Sequence, residues 1–272
     1  MTAVNRDSEE AAYTTLYRAS VVSGRPGIIL AAKDFEALDR LTGSRTRSRA
    51  LVSRLEKAGR ARSVRRGAYT LVDAAGNTRA TALDLVAALT PKPYLVTAGA
   101  ALQFHDLTDQ HFRLMVVLAN TQLRGWTYRG QQIKYVRTDR KLAGVSTRSR
   151  RTPAAIATPA IAIADSLDHP SWGVTLAQVA EALDRMRDRD RGFPDDLASE
   201  VAEHYGHALA RRLGVLITAL AGQNAARAFL PLRGRSKTAA KLLAGGPDTG
   251  PLDTTWGVRI NVNLNIATQH RD

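Results

Sequence analysis

The chain has 272 residues, enough for one large domain or two ordinary ones with ample core. Its net charge of +14 and pI of about 10.7 point to nucleic acid or another acidic surface as partner, and with no cysteine, disulfides and thiolate metal centres are excluded. The opening MTAVNRDSEEAAY lacks the basic and apolar regions of a secretory signal, and no run reaches the roughly 20 apolar residues of a membrane helix, so a cytoplasmic protein with no membrane partner is expected.

In chain order, Glu9 to Gly24 reads as a helix with Ala12, Leu16 and Ala19 inward and Ser8 as N-cap, stopped by Gly24, Pro26 and Gly27. Ile28-Ile29-Leu30 is a short strand. Asp34 then caps a helix that carries Phe35, Leu38 and Leu41 inward, and Thr42-Gly43 makes a turn.

A helix capped by Ser44 follows, with Leu51, Leu55 and Ala58 at i, i+4, i+7 on its buried side. Between Ser44 and Arg66 nine basic residues face a single acid, Glu56. With the apolar residues inside, Arg45, Thr46, Arg49 and Ser53 fall on the opposite face, and Arg47 lies nearer the inner side. Arginine and hydroxyl side chains suit a major groove, where arginine grips O6 and N7 of guanine. Gly59 stops the helix, and RARSV and AYTLV form a hairpin around Arg65-Arg66-Gly67. Helix, strand, helix, turn, helix, hairpin is the order of a winged helix-turn-helix. The DNA-contacting set read from this stretch is Arg45, Thr46, Arg47, Arg49, Ser53, Arg54, Arg62, Arg65 and Arg66, with the helix on bases and the hairpin on backbone.

DAAGNT reads as a linker, which divides the chain into residues 1–75 and 76–272. The second domain is expected to be mixed: a helix over Arg79–Leu89, a short helix after Tyr94-Leu95-Val96, a buried strand over Phe112–Leu118, and a hairpin of Trp126–Tyr128 with Gln132–Val136 about Gly130. Arg137–Arg151 reads as an exposed basic loop. Helices follow over Pro159–Leu167, Leu176–Met186, Leu197–Tyr205 and Ala208–Leu220. A second basic patch comprises Arg233, Arg235, Lys237 and Lys241, with Arg227 before it. The close, Trp256 to Leu264, alternates as a strand with Val258, Ile260, Val262 and Leu264 inward. The fold class is therefore α+β.

No nucleophile elbow, phosphate-binding loop or dinucleotide fingerprint is present. Glu200, Glu203, His204 and His207 share a helical face, but their spacing is not that of a zinc helix. A metal-dependent nuclease wants Glu-x-Lys on a strand, whereas the last strand offers Arg259, Asn261 and Asn263. No catalytic residue, metal or cofactor is assigned.

The stretches LVSRLEKAGRARSVRRGAYTLV, YLVTAGAALQFHDL, TPAIAIADSL, ARRLGVLITAL and WGVRINVNLN, in this order, resemble the AbiEi-type antitoxins of type IV toxin-antitoxin operons, actinobacterial branch. The resemblance implies an N-terminal winged helix and a C-terminal antitoxin domain of mixed helix and strand. It implies a repressor of its own operon that binds inverted repeats in double-stranded promoter DNA and counteracts a nucleotidyltransferase-type toxin, with or without a stable complex. The DNA role passes to Arg45, Thr46, Arg49, Arg65 and Arg66. A ligand-sensing regulator without a toxin and, more weakly, a DNA-processing nuclease stand as alternatives.

Overall fold

The computed structural model describes residues 3–142, 145–147, 151–236 and 238–263. It is a mixed α+β chain in two compact units: residues 1–90 with 126–129 and 149–154, and residues 91–125, 130–148 and 155–272. Among the described residues no helix is long and apolar enough to cross a membrane.

The first unit runs α1 (Ala3–Val22), β1 (Ile28–Leu30), α2 (Ala31–Thr42), α3 (Arg45–Lys57), β2 (Ala61–Arg65), β3 (Ala68–Leu71) and α4 (Ala82–Leu89). β1 and β2 both pair antiparallel with β3. Its core joins Ala12 and Leu16 of α1, Ile29, Phe35 and Leu38 of the next two elements, Leu51, Val52 and Leu55 of α3, and Ala61 and Leu71 of the sheet.

Asp34 does not cap α2 from outside, because the helix already starts at Ala31. Its carboxylate reaches back to the Leu30 N–H at 2.6 Å and takes both terminal nitrogens of Arg25, at 3.0 and 3.1 Å, which ties the α1–β1 turn to α2. Leu41, expected inside, is 51% exposed at the helix end. Ser44 holds the N-cap position of α3 without a side-chain capping bond. The turn is held instead by hydroxyls: Thr42 Oγ1 and Ser48 Oγ both donate to the Ser44 carbonyl, and Gly43 takes φ 71°.

The expected boundary at 75/76 moves to the far side of α4. That helix, with its Thr81–Asp84 capping box, is held to the hairpin by Arg65, which donates to the Leu89 carbonyl at 2.9 Å, and Tyr128 Oη donates to the Ala80 carbonyl.

The second unit begins with β4 (Tyr94–Thr97), α5 (Ala98–Phe104) and β5 (Leu114–Ala119). After β6 (Trp126–Tyr128), which counts with the first unit, come β7 (Gln131–Arg137), β8 (Ser146–Thr147), β9 (Ile156–Ala157) and α6 (Pro159–Asp168). Arg129 and Gly130, both with positive φ, make the turn into β7. The unit's strands lie in the order β7-β5-β4-β9-β8, and one row across them, Tyr135, Val117, Val96 and Ile156, is buried throughout. α6 has Pro159 at its first turn and Thr158 as N-cap, and every residue from Ala160 to Leu167 is buried.

The basic segment after β7 is not simply a solvated loop, because Arg140 turns inward. Its guanidinium meets the 1% exposed carboxylate of Asp165 on α6 in two parallel bonds of 2.8 and 3.0 Å. Tyr205 Oη donates to Asp165 at 2.7 Å and accepts from Arg140 at 2.6 Å, while Thr97 Oγ1 donates to the second carboxylate oxygen at 2.6 Å. The Asp165 carboxylate thus accepts two hydrogen bonds at each oxygen, as a charge buried this deeply requires, while Arg140 Nε is buried without a partner among the described residues.

α7 (Leu176–Arg189), α8 (Phe193–His204) and α9 (His207–Ala221) complete the helices. The chain closes on a small sheet of two-residue strands, β10 (Ala240–Lys241), β11 (Leu252–Asp253) and β12 (Val258–Arg259), in the order β10-β12-β11. The long closing strand expected over Trp256–Leu264 is thus reduced to two residues, and Leu264 lies outside the described residues. Asn261, expected outward, is buried: its side chain bonds both the N–H and the carbonyl of Leu243 and the Pro247 carbonyl, which ends the alternation.

Trp256 packs over Gly214 of α9 and donates Nε1–H to Thr218 Oγ1 at 3.1 Å. A Cβ at Gly214 would lie 2.4 Å from the indole ring. Gly214→Ala is therefore expected to cost about 1–3 kcal/mol by overpacking, readable as a lower chemical-denaturation midpoint with an unchanged slope.

Candidate nucleic-acid interface

The outward face of α3 follows from what the helix buries. The inward residues are Ser48, Leu51, Val52 and Leu55, whereas Ala58 is exposed. At 3.6 residues per turn this rotates the outward face by about 40° from the one implied by Leu51, Leu55 and Ala58. Thr46, Ala50, Ser53 and Lys57 then point most directly away from the core, all exposed, with Arg49 beside them.

The rotation sorts the arginines. Arg45 is pulled toward α2: its Nε pairs with Asp39 at 3.0 Å, NH1 donates to the Ala31 carbonyl at 3.0 Å, and the guanidinium lies 5.6 Å from the Phe35 ring centroid. It is a positioning residue for the α2–α3 angle more than a reader. Arg45→Ala is expected to lower thermal stability while leaving the ranking of DNA sequences unchanged, which melting curves and competition binding would check together. Arg47 lies on the flank with a long 3.4 Å contact to the Thr42 carbonyl, and Arg54 is half-buried.

Arg49, Thr46 and Ser53 are exposed and hold no hydrogen bond or ion pair among the described residues. Tyr69, stacked on Phe35, sits within the field of Arg49 and Glu56. Burial, with Glu56 second, raises its hydroxyl above the ordinary tyrosine range against the opposing Arg49 charge.

The hairpin divides in the same manner. Its register sets Ser63 opposite Tyr69, on the helix-packed face, and Arg62 opposite Thr70 with Arg65 opposite Ala68, on the other face. Arg65 is engaged with the Leu89 carbonyl, at a helix C-terminus that favours a cation. Arg62 and Arg66 are exposed and unbonded among the described residues. The turn itself is Arg66-Gly67, with Gly67 at φ 76° and its carbonyl accepting from the Ala31 N–H at 2.8 Å. Arg66 is thus presented from a tip pinned to the start of α2.

The second basic patch is less open. Arg233 donates to the Thr255 carbonyl at 2.7 Å, and Lys241 bonds the Gly246 carbonyl and pairs with Asp248 at 2.9 Å. Arg235 is exposed, and Lys237 lies outside the described residues. In the acid and histidine cluster, Glu200 accepts from Thr158 Oγ1 at 2.7 Å, and burial raises its carboxyl above the usual range. His207 bonds the Leu232 carbonyl. No group of three potential metal ligands occurs among the described residues.

Sequence reading missed Ala50 and Lys57. The signal was present in Ser48, whose hydroxyl kept it out of an apolar count although the side chain is buried.

No protein-family model matches the chain, and no curated protein matches it. Among solved structures, the crystal structure of the RV2827C protein from Mycobacterium tuberculosis is similar, with a TM-score of 0.66 at 13% identity over 89% of this chain and 90% of that one. The likeness at that identity is one of fold.

Proposed function

We propose that α1 through β3 form a winged helix-turn-helix that binds double-stranded DNA, with α3 in the major groove and the Arg66-Gly67 tip on the sugar-phosphate backbone. The observation that carries this reading is the outward face of α3. Thr46, Arg49 and Ser53 stand exposed with no side-chain partner among the described residues, beside Arg62 and Arg66, whose side chains are likewise unbonded among them. Side chains of this kind left unsatisfied on a rigid helix match the donors that a groove and its phosphates require.

The biological role is that of an autorepressor and antitoxin. This half rests on the sequence resemblance to AbiEi-type antitoxins, which supplies the inverted-repeat promoter and the nucleotidyltransferase-type toxin as partners. The reading assigns no catalytic residue and needs no cofactor. Inverted repeats would engage two copies of α3 on successive turns of the duplex.

Two measurements test it. A reporter placed behind the DNA upstream of this gene should be repressed by the chain and released by Arg49→Ala. Co-expression with the neighbouring gene should relieve growth arrest caused by that neighbour. An unrepressed reporter contradicts the repressor role, and growth arrest that persists contradicts the antitoxin role.

A further inference from the structure

We infer that the half-site read by α3 contains a guanine adjoining a thymine, with Arg49 on the guanine and the Ala50 methyl against the thymine 5-methyl group; this rests on the DNA-binding reading above. Ala50 is exposed in the middle of the helix face that points away from Ser48, Leu51, Val52 and Leu55. Its neighbours on the most outward side are Thr46 at i−4 and Ser53 at i+3, both short, while the long Arg47 at i−3 and Arg54 at i+4 lie on the flank, so the most outward line of the helix at this point carries only short side chains.

A methyl group brought there can neither donate nor accept. Opposite a carbonyl, ring nitrogen or amino group it would strip water from a polar edge and return no hydrogen bond, which is unfavourable. On the major-groove edge only the pyrimidine C5 position makes no such demand, and of the two pyrimidines thymine carries there a methyl group that gives the larger apolar contact. Arg49 is exposed, unbonded among the described residues and next in the chain, and its fork matches guanine O6 and N7. Arg49 stands about 100° around the helix from Ala50, so its long side chain extends to one side of the place where the short Ala50 methyl meets the groove, onto the pair beside it.

The test uses the full chain. Duplexes are selected from a pool randomised at the half-site, and the thymine beside the Arg49-dependent guanine is then replaced by deoxyuridine, which removes only the methyl group. Binding should weaken about fourfold, the equivalent of ~0.8 kcal/mol for one buried methyl. Ala50→Gly, with helix content checked by circular dichroism, should bind the two duplexes equally, and Ala50→Ser, which keeps a better helix former, should show less than half the wild-type ratio. Equal affinity of the wild type for the two duplexes, or an undiminished ratio in both variants, overturns the assignment while leaving DNA binding in place. A chain that prefers no selected duplex over random DNA overturns the assignment and the DNA reading together.

Discussion

Asp165→Ala is expected to lower the unfolding free energy by about 3–5 kcal/mol, because it leaves the Arg140 guanidinium buried without its counter-charge. Three donors lose their acceptor at once: Arg140 at 2.8 and 3.0 Å, Tyr205 Oη at 2.7 Å and Thr97 Oγ1 at 2.6 Å. At roughly 2–4 °C per kcal/mol for a chain of this size, the melting point should fall by roughly 10 °C. Tyr205→Phe keeps the ion pair and removes one bond, so it should cost about 1–3 kcal/mol.

Stability should also decline as pH rises past about 10, the ordinary tyrosine pKa. Burial and then the Asp165 charge hold the Tyr205 hydroxyl protonated well above that range in the folded chain, while the unfolded chain ionises there. The unfolded state then binds fewer protons than the folded one, and the contribution present below pH 10 is lost. Thermal melts of the two variants and of the wild type at pH 7 and above 10 check these points. An Asp165→Ala melting point within 2 °C of wild type would mean that the cluster does not hold α6 and the Arg140 segment together.

Arg49→Ala should reduce discrimination between preferred and random duplexes by about 1–3 kcal/mol, the value of one bidentate guanine contact. The same substitution should leave folding nearly unchanged, since the side chain is exposed and bonds nothing among the described residues. Arg66→Ala should weaken all sequences alike, because a turn-tip cation meets phosphates that carry no sequence information. Competition binding against matched and scrambled duplexes separates the two. Equal behaviour of both variants on both duplexes would contradict the assignment of helix to bases and tip to backbone.

Much of this was legible before the structure, for particular physical reasons. The order of elements from α1 to β3 followed from periodicity and glycine stops, since Gly43, Gly59 and Gly67 do sit at positive φ. The orientation of α3 was legible only approximately. Burial of Ser48, whose hydroxyl donates to the Ser44 carbonyl, is a tertiary choice that no apolar count contains. It turned Arg45 toward α2 and set Ala50 in the middle of the outward face.

The Arg140 cluster was not legible at all. An arginine in a basic, Ser- and Thr-rich segment reads as solvated, and its partners lie 25 and 65 residues away in sequence. The closing strand failed for a related reason. Alternation in WGVRINVNLN is real, yet Asn261 turns inward to satisfy the backbone of the loop at Leu243 and Pro247.

The most direct test of a DNA-reading α3 is a titration of the full chain onto the DNA upstream of its own gene and onto a random duplex of equal length, at about 50 and 200 mM salt. Several arginine–phosphate contacts predict tighter binding to the upstream DNA and, if at least six form, a loss of about 10³-fold or more across that salt range. Equal affinity for the two duplexes, or affinity indifferent to salt, would contradict the account.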